Sequence, residues 1–285
     1  MEKLKIAVQK SGRLSEKSLE LLQECNIKLT NGNRKLISVS SNFQIEILYL
    51  RDDDIPQCIN DGVADIGIVG ENEYLEKNYP LKIYKKLGFA KCRLSLAIPK
   101  SEQYKSLEYF QNKKIATSYP IILRSFLDNN KINAEIHQIS GSVEISPSIG
   151  LADAIFDIVS SGSTLISNGL KEVERVMDSE AVMIGQCELT NEKQTILNDL
   201  LFRIGAVQVA KSNKYILLNA PNNKLQEIIN IIPGMKSPTV LPLAEEGWCS
   251  LHSVVNEEKF WEIIGQLKNA GAQGILVVPI EKMII

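Results

Sequence analysis

Gly150–Leu165 reads GLADAIFDIVSSGSTL, and the order of residue types in this stretch decides how the rest of the chain is taken. Side chains alternate faces along an extended strand, so Ala154, Phe156 and Ile158 share one face while Asp153, Ile155 and Asp157 share the other. Two carboxylates therefore point the same way. Ser160-Ser161-Gly162-Ser163-Thr164 follows without bulk, so its N–H groups and hydroxyls can close around an anion. A helix is expected from Leu165 through Val176, which sets the loop at a helix N-terminus, where unpaired donors and the dipole favour phosphate. Strand, cup and helix in this order suit a sugar phosphate, with carboxylates accepting from ribose hydroxyls and the loop donating to a 5′-phosphate. A plainer reading also fits, a solvated strand end before a capped helix, because Ser and Thr are favoured caps in any protein.

Working outward, Gly150-Leu151-Ala152-Asp153 has an echo upstream in Gly62-Val63-Ala64-Asp65, which leads into Ile66-Gly67-Ile68-Val69-Gly70-Glu71-Asn72. Each half of the chain thus carries G-x-A-D, an apolar strand and a small-residue loop. The echo points to an α/β fold of two similarly wound lobes facing each other across a cleft, as in periplasmic solute-binding proteins of the second type.

Other segments fit that plan. Leu4–Val8 reads as a buried strand, followed by Gln9-Lys10-Ser11-Gly12-Arg13-Leu14 and an amphipathic helix from Ser15 to Cys25. Lys10, as a point charge, and Arg13, as a fork, suit a polyphosphate or a plain solvated turn. Ile45–Leu50 is another strand, ending in Arg51-Asp52-Asp53-Asp54 before a helix from Ile55 to Asp61. Consecutive acids cannot all face one point on regular structure, so a metal site is not read here, and Asp54 is placed as a helix N-cap. Leu87–Pro99 is a crossover strand into the second lobe, Lys114–Pro120 a strand and turn, Ile121–Asn129 a helix, Ala134–Ile139 a strand, and Ala181–Cys187 a strand returning to the first lobe. A helix from Lys193 to Ile204 closes that lobe, with a domain boundary near Gly205.

Composition sets outer limits. The chain has 285 residues, 44% of them hydrophobic, enough for more than one core. A net charge of −2 argues against a broad basic surface for nucleic acid. Cys25, Cys58, Cys92, Cys187 and Cys249 show no C-x-x-C spacing, which fits a reducing compartment, and with only His137 and His252 a zinc site of His and Cys is not expected. The N-terminus turns polar after a few apolar residues and no run of eighteen apolar residues occurs, so a cytoplasmic protein with no membrane partner is expected.

Glu144, Gly150, Ala152, Ile155, Asp157, Ser161-Gly162 and Thr164-Leu165 stand at the spacing of the ATP phosphoribosyltransferase signature. QKSGRL, RDDDIP, GENEYL, CRLSLA, IATSYP and the terminal LVVPIEKM extend the resemblance to that family over nearly the whole chain. The resemblance implies a reaction between ATP and phosphoribosyl pyrophosphate (PRPP), with Mg²⁺ holding the leaving pyrophosphate, as the opening step of histidine biosynthesis. It assigns PRPP to Glu144, Asp153, Asp157 and Ser160–Thr164. To ATP and pyrophosphate it assigns Lys10, Ser11, Gly12, Arg13, Arg51, Gly70, Glu71, Thr117, Ser118 and Tyr119. Lys10, Arg13 and Arg51 would act electrostatically, and no acid–base residue is expected. The implied division is residues 1–90 with 181–205 as lobe I, 91–180 as the PRPP-binding lobe II, and 206–285 as a regulatory domain.

That last segment reads as strands at Tyr215–Leu218, Thr239–Leu243, Trp248–Val255 and Gly274–Ile280 with helices at Lys224–Ile232 and Glu257–Ala270, plus a leading strand near Val207–Lys211. From Tyr215 the order is βαββαβ, a ferredoxin-like (ACT-like) arrangement. The resemblance, to the family's long form, implies a homo-hexamer built from dimers and inhibition by histidine bound at Asn219, Thr239, Val254 and Gly274. Asn219 stands where some members carry aspartate for the ligand's amine. AMP is a further candidate for the nucleotide half. Two competing classes remain open on sequence: a two-lobed binding protein for a small anion, and a phosphoribosyltransferase acting on another base.

Overall fold

The computed structural model describes residues 2–30, 36–232, 234 and 237–285. Leu4–Gln9 (β1) is the inner strand from which the first sheet grows, with Leu4, Ile6, Ala7 and Val8 all fully buried, as a strand covered on both faces of a parallel sheet must be. After it come α1 (Arg13–Glu24), β2 (Ile37–Val39), β3 (Ile45–Leu50), α2 (Ile55–Asn60), β4 (Ile66–Gly70), α3 (Glu71–Lys77) and β5 (Lys82–Lys86). The chain then crosses to β6 (Cys92–Pro99), β7 (Lys114–Thr117), α4 (Pro120–Asn129), β8 (Glu135–Gln138), β9 (Ala154–Val159), α5 (Ser163–Ser167) and β10 (Leu170–Ser179). It returns through β11 (Ala181–Gly185) to α6 (Asn191–Lys211).

Two sheets result, in the orders β2-β3-β1-β4-β11-β5 and β10-β6-β9-β7-β8. Their winding is the same. In the first, parallel β3, β1 and β4 are joined by antiparallel β11, which arrives from the other sheet, and then by β5. In the second, parallel β8, β7 and β9 are joined by antiparallel β6, which also arrives from across, and then by β10. This is the two-lobed periplasmic-binding-protein arrangement read from the sequence echo. The crossings lie side by side, with the Leu87 N–H donating to the Ala181 carbonyl and the Ala181 N–H to the Phe89 carbonyl, both at 2.9 Å.

The echo itself has a structural meaning. Asp65 precedes β4 and Asp153 precedes β9, the third parallel strand of each sheet. The Asp65 N–H donates to the Lys5 carbonyl at 3.0 Å while its carboxylate accepts from the Lys5 N–H at 2.8 Å. Asp153 repeats this on Lys114, at 2.9 and 2.8 Å. Each aspartate clasps the first of the three parallel strands of its own lobe.

Three sequence expectations are corrected. The helix expected from Leu165 to Val176 is only α5, which gives way at Gly169 (φ +70°) to strand β10. Register shifts between Glu172 and Glu174 and between Arg175 and Met177 leave Val173 and Val176 as bulge residues, and both pack on the lobe's core. Two bulges thus give a strand the three-residue apolar spacing of a helix. Val207–Lys211 is not a strand but the end of α6, whose stripe Ile196, Leu197, Leu200, Ile204, Val207 and Ala210 keeps helical spacing throughout. Asp54 occupies the N-cap position of α2, yet its side chain makes no capping bond, and Asp52–Asp54 form one 3₁₀ turn.

Beyond α6 come β12 (Asn213–Pro221), α7 (Leu225–Ile231), β13 (Thr239–Pro242), β14 (Trp248–Asn256), α8 (Glu257–Asn269) and β15 (Gln273–Pro279). They form an antiparallel sheet ordered β13-β14-β12-β15, the ferredoxin-like βαββαβ unit without the extra leading strand. Ile216, Leu218 and Leu251 face a core shared with Ile228 of α7 and Phe260 and Leu267 of α8. By contacts the chain divides into Met1–Glu20 with Ile27–Leu197, and Leu21–Asn26 with Asn198–Ile285. No helix among the described residues is long and apolar enough to cross a membrane.

Candidate functional site

Open α/β sheets bind ligands in the connections beyond the carboxyl ends of their parallel strands. In the first lobe those connections begin at Lys10-Ser11-Gly12-Arg13 after β1, Arg51 after β3, and Gly70-Glu71 at the end of β4. In the second they are Ser118-Tyr119 after β7, the segment holding Glu144 after β8, and Ser160–Thr164 after β9. One residue read from sequence lies elsewhere. Asp153 sits at the opposite end of β9, four residues or ~13 Å of extended chain from Asp157, and is occupied by the Lys114 N–H and, at 3.7 Å, by Lys113. The two carboxylates share a face but not a place.

The Ser160–Thr164 loop is open. Ser160, Ser161, Ser163 and Thr164 are exposed, and a Cβ added at Gly162 would touch only Val159, at 4.0 Å. Gly162 holds φ +80° at the N-cap of α5, a left-handed conformation that side chains disfavour. The Ser161 and Ser163 hydroxyls meet at 2.9 Å and the Ser163 N–H donates to the Ser161 hydroxyl at 3.4 Å, at a helix start whose first-turn N–H groups have no intrahelical acceptor. Beside the loop, burial pushes the Asp157 carboxyl up to about 6. A hydrogen bond from the Ile158 N–H at 2.7 Å opposes that shift, and the charge of Glu144 adds to it.

Across from this edge, Lys10, Arg13 and Arg51 are exposed and form no ion pair among the described residues. Glu71 pairs with Lys86 at 2.9 Å. The two lobe edges are tied at one side by buried polar contacts. The Tyr119 hydroxyl donates to Glu73 at 3.0 Å and accepts from Asn72 Nδ2 at 3.2 Å. Asn72 is bonded to the Ser179 hydroxyl through both its N–H (3.1 Å) and its side-chain oxygen (2.8 Å). Glu76, 7% exposed, accepts the Ile121 and Ile122 N–H groups at 2.9 and 3.0 Å, a carboxylate set on the N-terminus of α4 where the dipole favours it. Burial pushes Glu73 and Glu76 above the usual carboxylate range.

Part of the expected nucleotide set is engaged in contacts of this kind. Thr117 is fully buried and its hydroxyl accepts from the Tyr119 N–H at 2.8 Å; the Ser118 hydroxyl donates to the Ile139 carbonyl at 2.8 Å. With Tyr119 only 7% exposed, the IATSYP run places all three of these side chains in bonds within the protein, and Tyr119 ties lobe II to Asn72 and Glu73 of lobe I.

Side chains not singled out from sequence also gather here. A cavity of about 420 Å³ opens beside Ser160, lined by Glu71, Lys86, Lys91, Arg93, Arg175 and Ser179 among others. Arg93 was legible as a cation inside the apolar run of CRLSLAI, an unusual place for one, while Lys86, Lys91 and Arg175 have no local signal in the sequence. Among the described residues no three His, Cys, Asp or Glu side chains come together to hold a metal ion.

In the C-terminal unit the residues assigned to histidine share the sheet face opposite the helices. Val254 stands opposite Tyr215, Thr239 opposite His252, and His252 opposite Leu217. Asn219 lies on the same face, its Nδ2 3.4 Å from where a Cβ on Gly274 would sit. His252 is on this face too, between the Tyr215 hydroxyl (2.8 Å) and Ser250 (3.0 Å).

Known proteins carry the same combination. The ATP phosphoribosyltransferase family model matches residues 51–206, and the model described as HisG, C-terminal domain, matches residues 210–282. ATP phosphoribosyltransferase of Bacteroides thetaiotaomicron is 63% identical over 99% of this chain and 100% of its own length, and that of Cytophaga hutchinsonii is 57% identical over 99% and 98%. The ATP phosphoribosyl transferase (HisG:HisZ) complex from Thermotoga maritima superimposes with a TM-score of 0.60 at 27% identity, covering 71% of this chain and 98% of that one. The chain therefore belongs to the ATP phosphoribosyltransferase family, the enzymes that join ATP to PRPP in the first step of histidine biosynthesis, and it is of the long form that carries the family's C-terminal domain.

Proposed function

We propose that PRPP lies on the carboxyl edge of lobe II (residues 91–180), with its 5′-phosphate in Ser160–Thr164 and its ribose hydroxyls on Asp157 and Glu144. The observation that carries this is the open Gly162 loop beside a half-buried, unpaired acid. Asp153 is left out of the binding set because its carboxylate clasps β7. ATP and the pyrophosphate lie toward lobe I (residues 1–90 and 181–205), where Lys10, Ser11, Gly12, Arg13, Arg51, Gly70 and Glu71 stand. Tyr119 supports that site from behind through its bonds to Glu73 and Asn72, with Thr117 and Ser118 fixing the turn that carries it.

The chemistry asks little of side chains as acids or bases. N1 of adenine carries a free lone pair at neutral pH, and attack at C1 of the ribose breaks the bond to pyrophosphate through an oxocarbenium-like state. Catalysis is alignment of two substrates and neutralisation of the departing charge by Lys10, Arg13 and Arg51. Mg²⁺ fits as an ion bound to the substrate's phosphates, the usual mode for a cation that keeps its waters and takes few protein ligands; when bound it supplies charge neutralisation of the leaving group.

Residues 206–285 form the regulatory part, with L-histidine on the open sheet face at Asn219, Thr239, Val254 and Gly274, and no separate regulatory subunit. Family membership supports a homo-hexamer built from dimers, AMP as a ligand of the nucleotide edge, and a cytoplasmic location without nucleic-acid or membrane partners. Mixing the purified protein with ATP, PRPP and Mg²⁺ is expected to give the absorbance of phosphoribosyl-ATP, abolished by EDTA. PRPP binding without adduct would point to another base as acceptor.

A further inference from the structure

The phosphate loop is gripped by β6, a strand whose own residues were not assigned to either substrate. Arg93 stands opposite Val159, the residue before Ser160. Its guanidinium forks onto Glu172 of β10, Nε to Oε1 and Nη2 to Oε2, each at 2.6 Å, and the Ser95 hydroxyl holds the same carboxylate at 2.7 Å. The third nitrogen, Nη1, donates to the Ser160 carbonyl at 3.1 Å. Just past the far end of β6, Lys100 Nζ donates to the Ile166 carbonyl at 3.2 Å and the Lys100 N–H to the Gly169 carbonyl at 2.9 Å. One strand thus holds the loop and its helix at both ends.

A carbonyl oxygen turned toward a bound phosphate would repel it, whereas an N–H attracts it. Because the peptide unit is planar and trans, the Ser160 C=O and the Ser161 N–H point in opposite directions. A donor that fixes the carbonyl on one side therefore fixes the N–H on the other. We propose that Arg93, braced by Glu172 and Ser95, is a positioning residue for PRPP: it pins the Ser160–Ser161 peptide so that its N–H, and not its carbonyl, meets the 5′-phosphate. This inference rests on the reading of Ser160–Thr164 as the phosphate loop. Lysine does not substitute, because the task needs three donors in a rigid planar fork.

The test uses the full-length protein, with steady-state kinetics for both substrates and calorimetric titration of PRPP with Mg²⁺ in the absence of ATP. Arg93→Lys is expected to raise the Kd and KM for PRPP by about tenfold or more while leaving KM for ATP within about twofold. Glu172→Gln, which keeps the guanidinium but loosens its brace, is expected to move PRPP affinity in the same direction by about three- to tenfold. PRPP binding by Arg93→Lys within about twofold of the wild type overturns the proposal, as does an equal loss for both substrates. Should Arg93→Lys fail to fold, Glu172→Gln decides by the same criterion. Gly162→Val separates the two levels: if it binds PRPP normally the loop reading itself is wrong, and if it loses PRPP while Arg93→Lys does not, only the role of Arg93 is.

Discussion

Asp157 sits where its carboxyl titrates at about 6, chiefly because burial penalises the charged form. A carboxyl raised above its unfolded value favours the fold while protonated; that stability falls as pH rises from about 4 to about 6 and changes no further above. At pH 7 the ionised group therefore weakens the fold while serving as a hydroxyl acceptor for ribose. Asp157→Asn is expected to raise the melting temperature at pH 7 and to raise KM for PRPP about tenfold. In the wild type KM for PRPP should climb as pH drops through about 6, and the variant should lose that dependence; parallel pH profiles would remove Asp157 from the ribose site. Asp153 makes the contrasting case. Asp153→Ala is expected to cost about 1 kcal/mol of stability, since its side chain is partly exposed, with PRPP affinity unchanged. Asp65→Ala, its counterpart in lobe I, removes a buried partner of both the Lys5 N–H and Lys193, the latter at 2.9 Å, and should cost roughly 3 kcal/mol. Denaturant melts of the two variants check the ranking. From sequence Asp153 and Asp157 looked alike, because alternation reports which face a side chain shares and says nothing of distance along the strand.

Among elements, the junction of α3 with α4 carries the clearest expectation. Tyr119→Phe removes a hydroxyl that serves Glu73 and Asn72 together and leaves buried Asn72 and half-buried Glu73 each with one bond fewer, at a cost of about 1–2 kcal/mol. Because α3 begins in one lobe and α4 in the other, KM for ATP and for PRPP should rise together, in contrast to the PRPP-only effect at Arg93; a change confined to one substrate would count against a junction role. Elements with plain periodicity were legible: β1, β3, β4 and β9 were visible as apolar runs, and the βαββαβ order of the C-terminal unit followed from alternation and spacing. β10 was not, because its two bulges gave it helical spacing, and the end of α6 was not, because Val207–Lys211 is apolar in a way that either a strand or a buried helix satisfies. The loops carrying Lys10, Arg51 and Ser160–Thr164 were found from residue type and family resemblance together. Glu73 and Glu76 were missed because their partners lie across the lobe junction, and local sequence holds no trace of such a contact.

At the scale of the whole molecule, histidine is expected to inhibit through the open face of the C-terminal sheet. Gly274→Val places methyl groups toward Asn219, whose Nδ2 already lies 3.4 Å from a Cβ at that position, and forces a β-branched residue into φ +56°. Inhibition by L-histidine should weaken by about tenfold or more in this variant; unchanged inhibition in initial-rate assays would remove the face from the regulatory site. Cutting the chain at Gly205 is a poor alternative test, because α6 runs unbroken from Asn191 to Lys211 and would be severed mid-helix.

The paired crossings between Leu87–Phe89 and Ala181 mean that lobe II is spliced into lobe I as a cassette whose entry and exit are neighbours. Closing so small a gap demands little chain entropy. Excising residues 90–179 and bridging the cut with a short Gly-Ser peptide is therefore expected to yield a miniature protein that keeps the six-stranded sheet and still recognises adenine nucleotide. Bereft of its sugar-holding half, it would be blind to PRPP.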